Sequence, residues 1–139
     1  MEKMYVKTAE DEHVEMYLKA MCIIEEEGLP LKVSAIAEKL NIRQPSVIEM
    51  LRKLNEKKII TYNKFGIVIN DIGRRIGQNT IRKSRLLETM MTNILKIEIN
   101  QEIVCGMEHH MNDEFTDALS TLLDNPTKSP SGKDIPPKI

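Results

Sequence analysis

Between Val33 and Asn70 the chain sets out two helix-period stretches, a two-residue connection and two short β-like runs in fewer than forty residues. That order leaves few folds open. The first stretch, Ala35 to Leu40, can start from Ser34 as a cap, with Glu38 near the third position of a capping box. Asn41-Ile42 leads into a second stretch, about 45–57. Its Pro45 suits a first helical position, because the missing N–H would have no partner there. Val47, Leu51 and Leu54 follow the i, i+4, i+7 spacing of a buried stripe. The small Ala37 lets the two helices approach closely, and Ile36, Leu40, Val47 and Leu51 would fill the joint. Residues 59–63 and 67–70 read as strands joined by the tight loop Lys64-Phe65-Gly66. Helix, turn, helix and hairpin in this order form the winged helix-turn-helix pattern.

Helical patterning continues on both sides. Val14, Leu18 and Met21 define a helix over 10–27, which Gly28 stops. Asp71 can cap a long helix over 72–95, and further helices are expected over 100–111 and 113–123. Ile76, Leu86, Leu87, Met90 and Met91 on the long helix are candidates for a dimer core. The tail from Asp124 holds four Pro, one Gly and two Ser, and is expected to be extended or disordered. With two Phe, three Tyr and no Trp, the core must rest on Ile, Leu, Val and Met. The expected class is mainly α: a DNA-binding domain over 1–71, a helical domain over 72–125 and a flexible Pro-rich tail over 126–139.

Several function classes recede. The N-terminus lacks an apolar signal region, and no stretch approaches the roughly 18 uninterrupted apolar residues of a membrane span. A cytoplasmic protein without membrane contact is expected. Cys22 and Cys105 lie far apart and read as reduced thiols or ligands rather than a disulfide framework. No Ser/His/Asp set, Gly-rich phosphate loop or H-E-x-x-H motif is present, so no enzyme is expected.

Charge is unevenly spread. Residues 39–86 carry twelve Lys/Arg against three Asp/Glu, while 1–38 and 87–139 each carry four against nine. A basic block fits a polyanion-binding surface, here double-stranded DNA. The second helix would enter the major groove by its N-terminal end, which bears Arg43, Gln44, Pro45 and Ser46. Glu49, Met50 and Lys53 would face outward one turn later. Gln can read adenine and Glu can accept from cytosine. Arg43, Lys53, Lys58 and Lys64, the last at the wing tip, suit phosphates, which set affinity and register without reading sequence.

A second signal is Cys105-Gly-Met-Glu108-His109. On a helix, positions i, i+3 and i+4 share a face, so a thiolate, a carboxylate and an imidazole can converge. Such a mixture suits a first-row transition metal. His110 is rotated away and is a poorer donor. One helix leaves the set incomplete, and a fourth donor must come from elsewhere. A buried thiol beside an ordinary histidine is the plainer alternative.

Taken together, four segments resemble the diphtheria toxin repressor family of iron- and manganese-dependent repressors, in its two-domain form. They are Glu15-Met-Tyr-Leu-Lys19 leading into Glu25-Glu-Glu-Gly28, the helix-turn-helix with Pro45-Ser46, Ile81-Arg-Lys-Ser-Arg-Leu-Leu-Glu88, and Cys105-x-x-Glu-His109. The resemblance implies a homodimer that binds a palindromic operator when Fe2+ or Mn2+ is bound. It implies Met16, Cys105, Glu108 and His109 as metal ligands. Two sulfur donors favour Fe(II) over Mn(II). The family's ancillary site is expected to be weak or absent here. Ser84 and Gln101 stand where histidines are usual, Glu88 alone keeps its type, and Glu98 or Glu102 would have to substitute. The rival expectations are a winged-helix regulator that answers to a small molecule, and a helical interaction module without a nucleic-acid role.

Overall fold

The computed structural model describes residues 9–139. The charged N-terminal run over 1–8, on which the absence of a signal region was read, lies outside them. Six helices and one hairpin occur among the described residues: α1 (Ala9–Glu26), α2 (Val33–Leu40), α3 (Gln44–Glu56), β1 (Ile60–Asn63), β2 (Gly66–Ile69), α4 (Asp71–Asn93), α5 (Gln101–Glu108) and α6 (Asp113–Leu122). The chain divides into two compact units, one through Gln78 and one from Asn79 to Ile139. The boundary falls inside α4.

In the first unit α1, α2, α3 and the hairpin pack on one another. Leu18, Met21, Ile24, Ile36, Val47, Leu51, Leu54 and Ile60 are fully buried between them. The turn from α2 to α3 depends on Asn41, which takes a left-handed conformation (φ 54°). Its N–H and that of Ile42 bond to carbonyls of the last α2 turn, Glu38 O at 3.2 Å and Ala37 O at 3.0 Å. Asn tolerates this conformation better than most non-glycine residues, so the helix stops cleanly. The start of α2 differs from expectation. Lys32, not Ser34, holds the cap position, with no side-chain cap bond. The Lys32 carbonyl accepts from Ile36 N–H at 3.1 Å, so helical bonding begins two residues earlier than the Ser34 reading allows.

Helix α4 approaches α1 through two glycines one turn apart. A Cβ on Gly73 would stand 2.5 Å from Ile59 O and 2.9 Å from Leu18 Cδ1, and one on Gly77 would stand 2.5 Å from Cys22 Sγ and 2.7 Å from Leu18 O. Only glycine permits this contact. Arg74 of α4 pairs across this contact with Glu25 of α1 at 2.9 Å; elsewhere in the unit Lys57 pairs with Glu10 at 2.8 Å, and Lys39 with Glu27.

The second unit closes around Leu86, Leu87, Met91, Val104, Met111, Leu119 and Ile135. Leu86, Leu87 and Met91 therefore belong to the core of a single chain, which corrects their expected place in a dimer core: they lie on the α4 face that α5, α6 and the tail cover. Asn100 and Asn112 cap α5 and α6, their side-chain oxygens accepting from Ile103 N–H (3.2 Å) and Phe115 N–H (2.8 Å). The Asn112 cap begins a new helix, so α5 ends at Glu108, short of the expected 111.

The tail also departs from expectation. Instead of lying loose, it folds back over the second unit. Ile135 is buried in the core, Lys128 bridges to Asp134, and Ile135 N–H donates to Thr127 O at 2.9 Å. Arg85 and Arg82 on α4 donate to the carbonyls of Asp134 (2.6 Å) and Pro136 (3.1 Å). Prolines lack N–H groups but keep their carbonyls, and the two arginines satisfy tail carbonyls that no sheet or helix could.

Candidate metal centre and nucleic-acid interface

The expected DNA-contacting side chains all belong to the first unit and are all exposed: Arg43, Gln44, Pro45, Ser46, Glu49, Lys53, Lys58 and Lys64. Arg43 occupies the cap position of α3 in extended conformation (φ −77°, ψ 143°), and Pro45 lies in the first turn. The N-terminal end of α3 bears Arg43 to Ser46; Pro45 has no N–H, and the Ser46 N–H donates to Arg43 O at 3.1 Å, so anions are favoured there by the helix dipole and the Arg43 charge. Glu49 and Lys53 stand 3.9 Å apart on the open face of α3. In water such a pair contributes little, so either can exchange its partner for a base edge or a phosphate.

The hairpin is held beside this helix by Asn55, whose Oδ1 accepts from Tyr62 N–H at 2.9 Å; Asn70 Nδ2 closes the hairpin's base by donating to Lys58 O at 3.1 Å. The strands pair antiparallel with Asn63 opposite Gly66, which leaves Lys64-Phe65 as a two-residue turn at the wing tip.

Met50 differs from its expected outward position. It is half-buried and lines a cleft of about 290 Å³ between α1 and α3, together with His13, Met16, Tyr17, Ser46 and Glu49. The spacing Val47, Met50, Leu54 is i, i+3, i+7, a signal in the sequence that Met50 sits on the flank of the buried stripe. Tyr17 is buried, and desolvation pushes its phenol above the usual range, with the Glu49 charge adding to the effect. Met16, the expected fourth metal donor, thus shares a cleft with residues of the reading helix.

In the second unit, Glu108 ends α5 and His109 caps it. The Glu108 carboxylate is 1% exposed and lies 3.7 Å from His109 Nε2. Cys105 is exposed, one turn earlier on the same helix. Among the described residues no three His, Cys, Asp or Glu side chains stand together as a ready metal cluster. Glu108 and His109 are brought together, while Cys105 faces open surface. The donors fit a divalent transition metal by chemistry, since thiolate, imidazole and carboxylate are the groups such ions take. At the expected ancillary position, Gln101 Nε2 donates to Glu88 Oε1 at 3.3 Å. Glu102 is exposed and Ser84 is buried.

With this geometry in view, comparison with known proteins is decisive. Residues 4–66 match the family described as iron dependent repressor, N-terminal DNA binding domain, and residues 70–137 match iron dependent repressor, metal binding and dimerisation domain. The chain is 34% identical over 112 residues to the HTH-type transcriptional regulator MntR of Geobacillus kaustophilus, a match covering 79% of each. The chain belongs to the iron-dependent repressor family. Another member, the diphtheria toxin repressor of Corynebacterium diphtheriae, is 30% identical over 125 residues, which cover 88% of this chain and 55% of the relative. The chain thus spans about half the length of that repressor. Among solved members, the manganese regulator SloR superposes with a TM-score of 0.78 at 30% identity, over 90% of this chain and 60% of that one. A manganese-dependent transcriptional repressor in complex with manganese gives a TM-score of 0.81 at 25% identity, over 89% and 58%. Both domains that the family models describe are therefore matched in this chain, and no helix among the described residues is long and apolar enough to cross a membrane.

Proposed function

We propose that this chain is a metal-dependent transcriptional repressor that acts in the cytoplasm, binds a palindromic DNA operator as a homodimer, and answers to Fe(II) in preference to Mn(II). The observation that carries the reading is the shared cleft: Met16 on α1 and Ser46, Glu49 and Met50 on α3 line one cavity. When bound, a divalent cation supplies a charge for which Met16, Cys105, Glu108 and His109 are the donors.

The rest follows from the chain's own residues. Restraining Met16 restrains one wall of the cleft whose other wall is the reading helix. Restraint favours DNA binding only as far as ligand affinity differs between the competent and incompetent arrangements. Coupling of about 1–3 kcal/mol is typical, which gives a roughly 5–150-fold change in operator affinity. The thioether of Met16 and the thiol of Cys105 bias selection toward the softer ion. At the ancillary position, an amide and one carboxylate form a poor donor pair, so one metal per chain is expected. The dimer would use the exposed face of the second unit, where Ile103, Met107, Phe115 and Leu122 remain open to solvent.

The test is fluorescence anisotropy with a labelled palindromic duplex, performed anaerobically with and without Fe(II) and then with Mn(II). A rise in affinity within the 5–150-fold range supports the coupling. Equal affinity in all three conditions overturns it.

A further inference from the structure

The cleft between α1 and α3 gathers donors of one particular kind. His13 and Met16 stand three residues apart on α1, so they share a helix face, and Met50 of α3 lines the same cleft of about 290 Å³. Both methionines are half-buried and His13 is exposed. A methionine that merely filled the joint between these helices would be sealed, as Met21 is at 0% exposure. Instead two thioethers border one opening, with an imidazole beside them. The opening carries no surplus negative charge. Its carboxylate, Glu49, lies 3.9 Å from the ammonium of Lys53, which lines the cleft too.

We propose that this cleft is a second metal site, which takes a soft monovalent cation, Cu(I), through the His13 imidazole and the Met16 and Met50 thioethers. Three arguments select that ion. Thioethers are soft donors and select Cu(I) over harder divalent ions. A single positive charge suits a cleft whose carboxylate is already matched by an ammonium, whereas a divalent ion would want carboxylates of its own. Methionine is unbranched, with three rotatable bonds, so the two sulfurs can reach toward one ion from opposite walls. Bound there, the ion would tie α1 to α3 within the DNA-binding unit. The inference goes beyond the iron reading, with which it shares Met16 alone as a donor, and Met16 can serve only one of the two ions at a time.

The experiment uses the full chain carrying Cys105→Ser, which removes the exposed thiol that would itself capture copper; Cys22 is buried. Methionine methyl carbons are labelled with carbon-13, and Cu(I) is titrated anaerobically against a chromogenic Cu(I) chelator. One equivalent should bind, and two methyl signals should shift, assigned to Met16 and Met50 by their absence from Met16→Leu and Met50→Leu. The signal of Met91, buried in the second unit, should stay in place. Met16→Leu, Met50→Leu and His13→Gln should each weaken binding roughly tenfold or more, since losing even a group that only supports a ligand costs about that. Should a leucine variant fail to fold, Overhauser contacts to the ring of Tyr17, which lines the same cleft, assign the signals instead. No bound copper, shifts confined to other methionines, or variants that bind like their parent would each overturn the site. The iron reading survives all three results, because it needs Cys105, which this variant lacks.

Discussion

Cys22 lies directly beneath Gly77: a Cβ added at residue 77 would stand 2.5 Å from the Cys22 sulfur. The same Cβ would stand 2.7 Å from the Leu18 carbonyl oxygen, and backbone cannot move aside by changing rotamer. In an open helix, alanine is better than glycine by about 1 kcal/mol. Here overpacking of about 1–3 kcal/mol opposes that gain. Gly77→Ala should therefore lower the urea midpoint, and trimming the sulfur with Cys22→Ala should rescue only part of the loss, because the carbonyl remains. An unchanged or higher midpoint would show that the two helices have room to part.

The same burial has a consequence in alkali. Desolvation pushes the Cys22 thiol up to about 11 from an ordinary value of 9.0. Between those values the unfolded chain loses the thiol proton while the folded chain keeps it. The folded state then binds more protons, and stability falls as pH rises through that window. The loss is on the order of 2 kcal/mol. Urea melts from pH 8 to 11 should show wild type losing more stability than Cys22→Ala. Parallel curves would mean that the thiol titrates alike in both states.

Tail residues should matter for stability. Ile135 is buried against Leu86, Leu87 and Met91, whereas Ile139 is exposed. Ile135→Ala should cost about 2–4 kcal/mol, and Ile139→Ala almost nothing. Thermal melts of the two variants would check this, and equal melting temperatures would mean that the tail is only loosely laid down.

Metal selection should follow the sulfurs. Replacing Met16 and Cys105 together by Asp should move preference from Fe(II) toward Mn(II) in anaerobic calorimetry. Glu88→Ala with Gln101→Ala should leave one metal per chain. Unaltered selectivity in the first double variant would remove Met16 and Cys105 from the donor set.

Much of the DNA-binding unit was legible in the residues. Helix limits for α1, α3 and α6 were read to within a residue or so, because Val14-Leu18-Met21 and Val47-Leu51-Leu54 repeat with an unambiguous period. The hairpin was legible from its turn. What was not legible involves residues distant in sequence. Gly77 inside α4 carries no local sign that Cys22 lies against it. The composition of the tail described a loose segment, since nothing near Ile135 announces the pocket formed by α4, α5 and α6. Leu86, Leu87 and Met91 show that an apolar helix face must be covered, but not whether the cover comes from the same chain. At the candidate metal centre, Glu108 and His109 are neighbours in the chain, and helical spacing placed Cys105 one turn before them. It could not tell that Cys105 would remain exposed where Glu108 is buried, since that depends on what α5 packs against.

The chain's two thiols occupy opposite chemical worlds. One is sealed between helices, and the other lies in the open on α5. A maleimide dye applied at neutral pH should therefore settle on Cys105 alone, without mutagenesis. Bound metal should slow that reaction by holding the Cys105 thiolate, so the rate of dye uptake is a gauge of loading already written into the polypeptide.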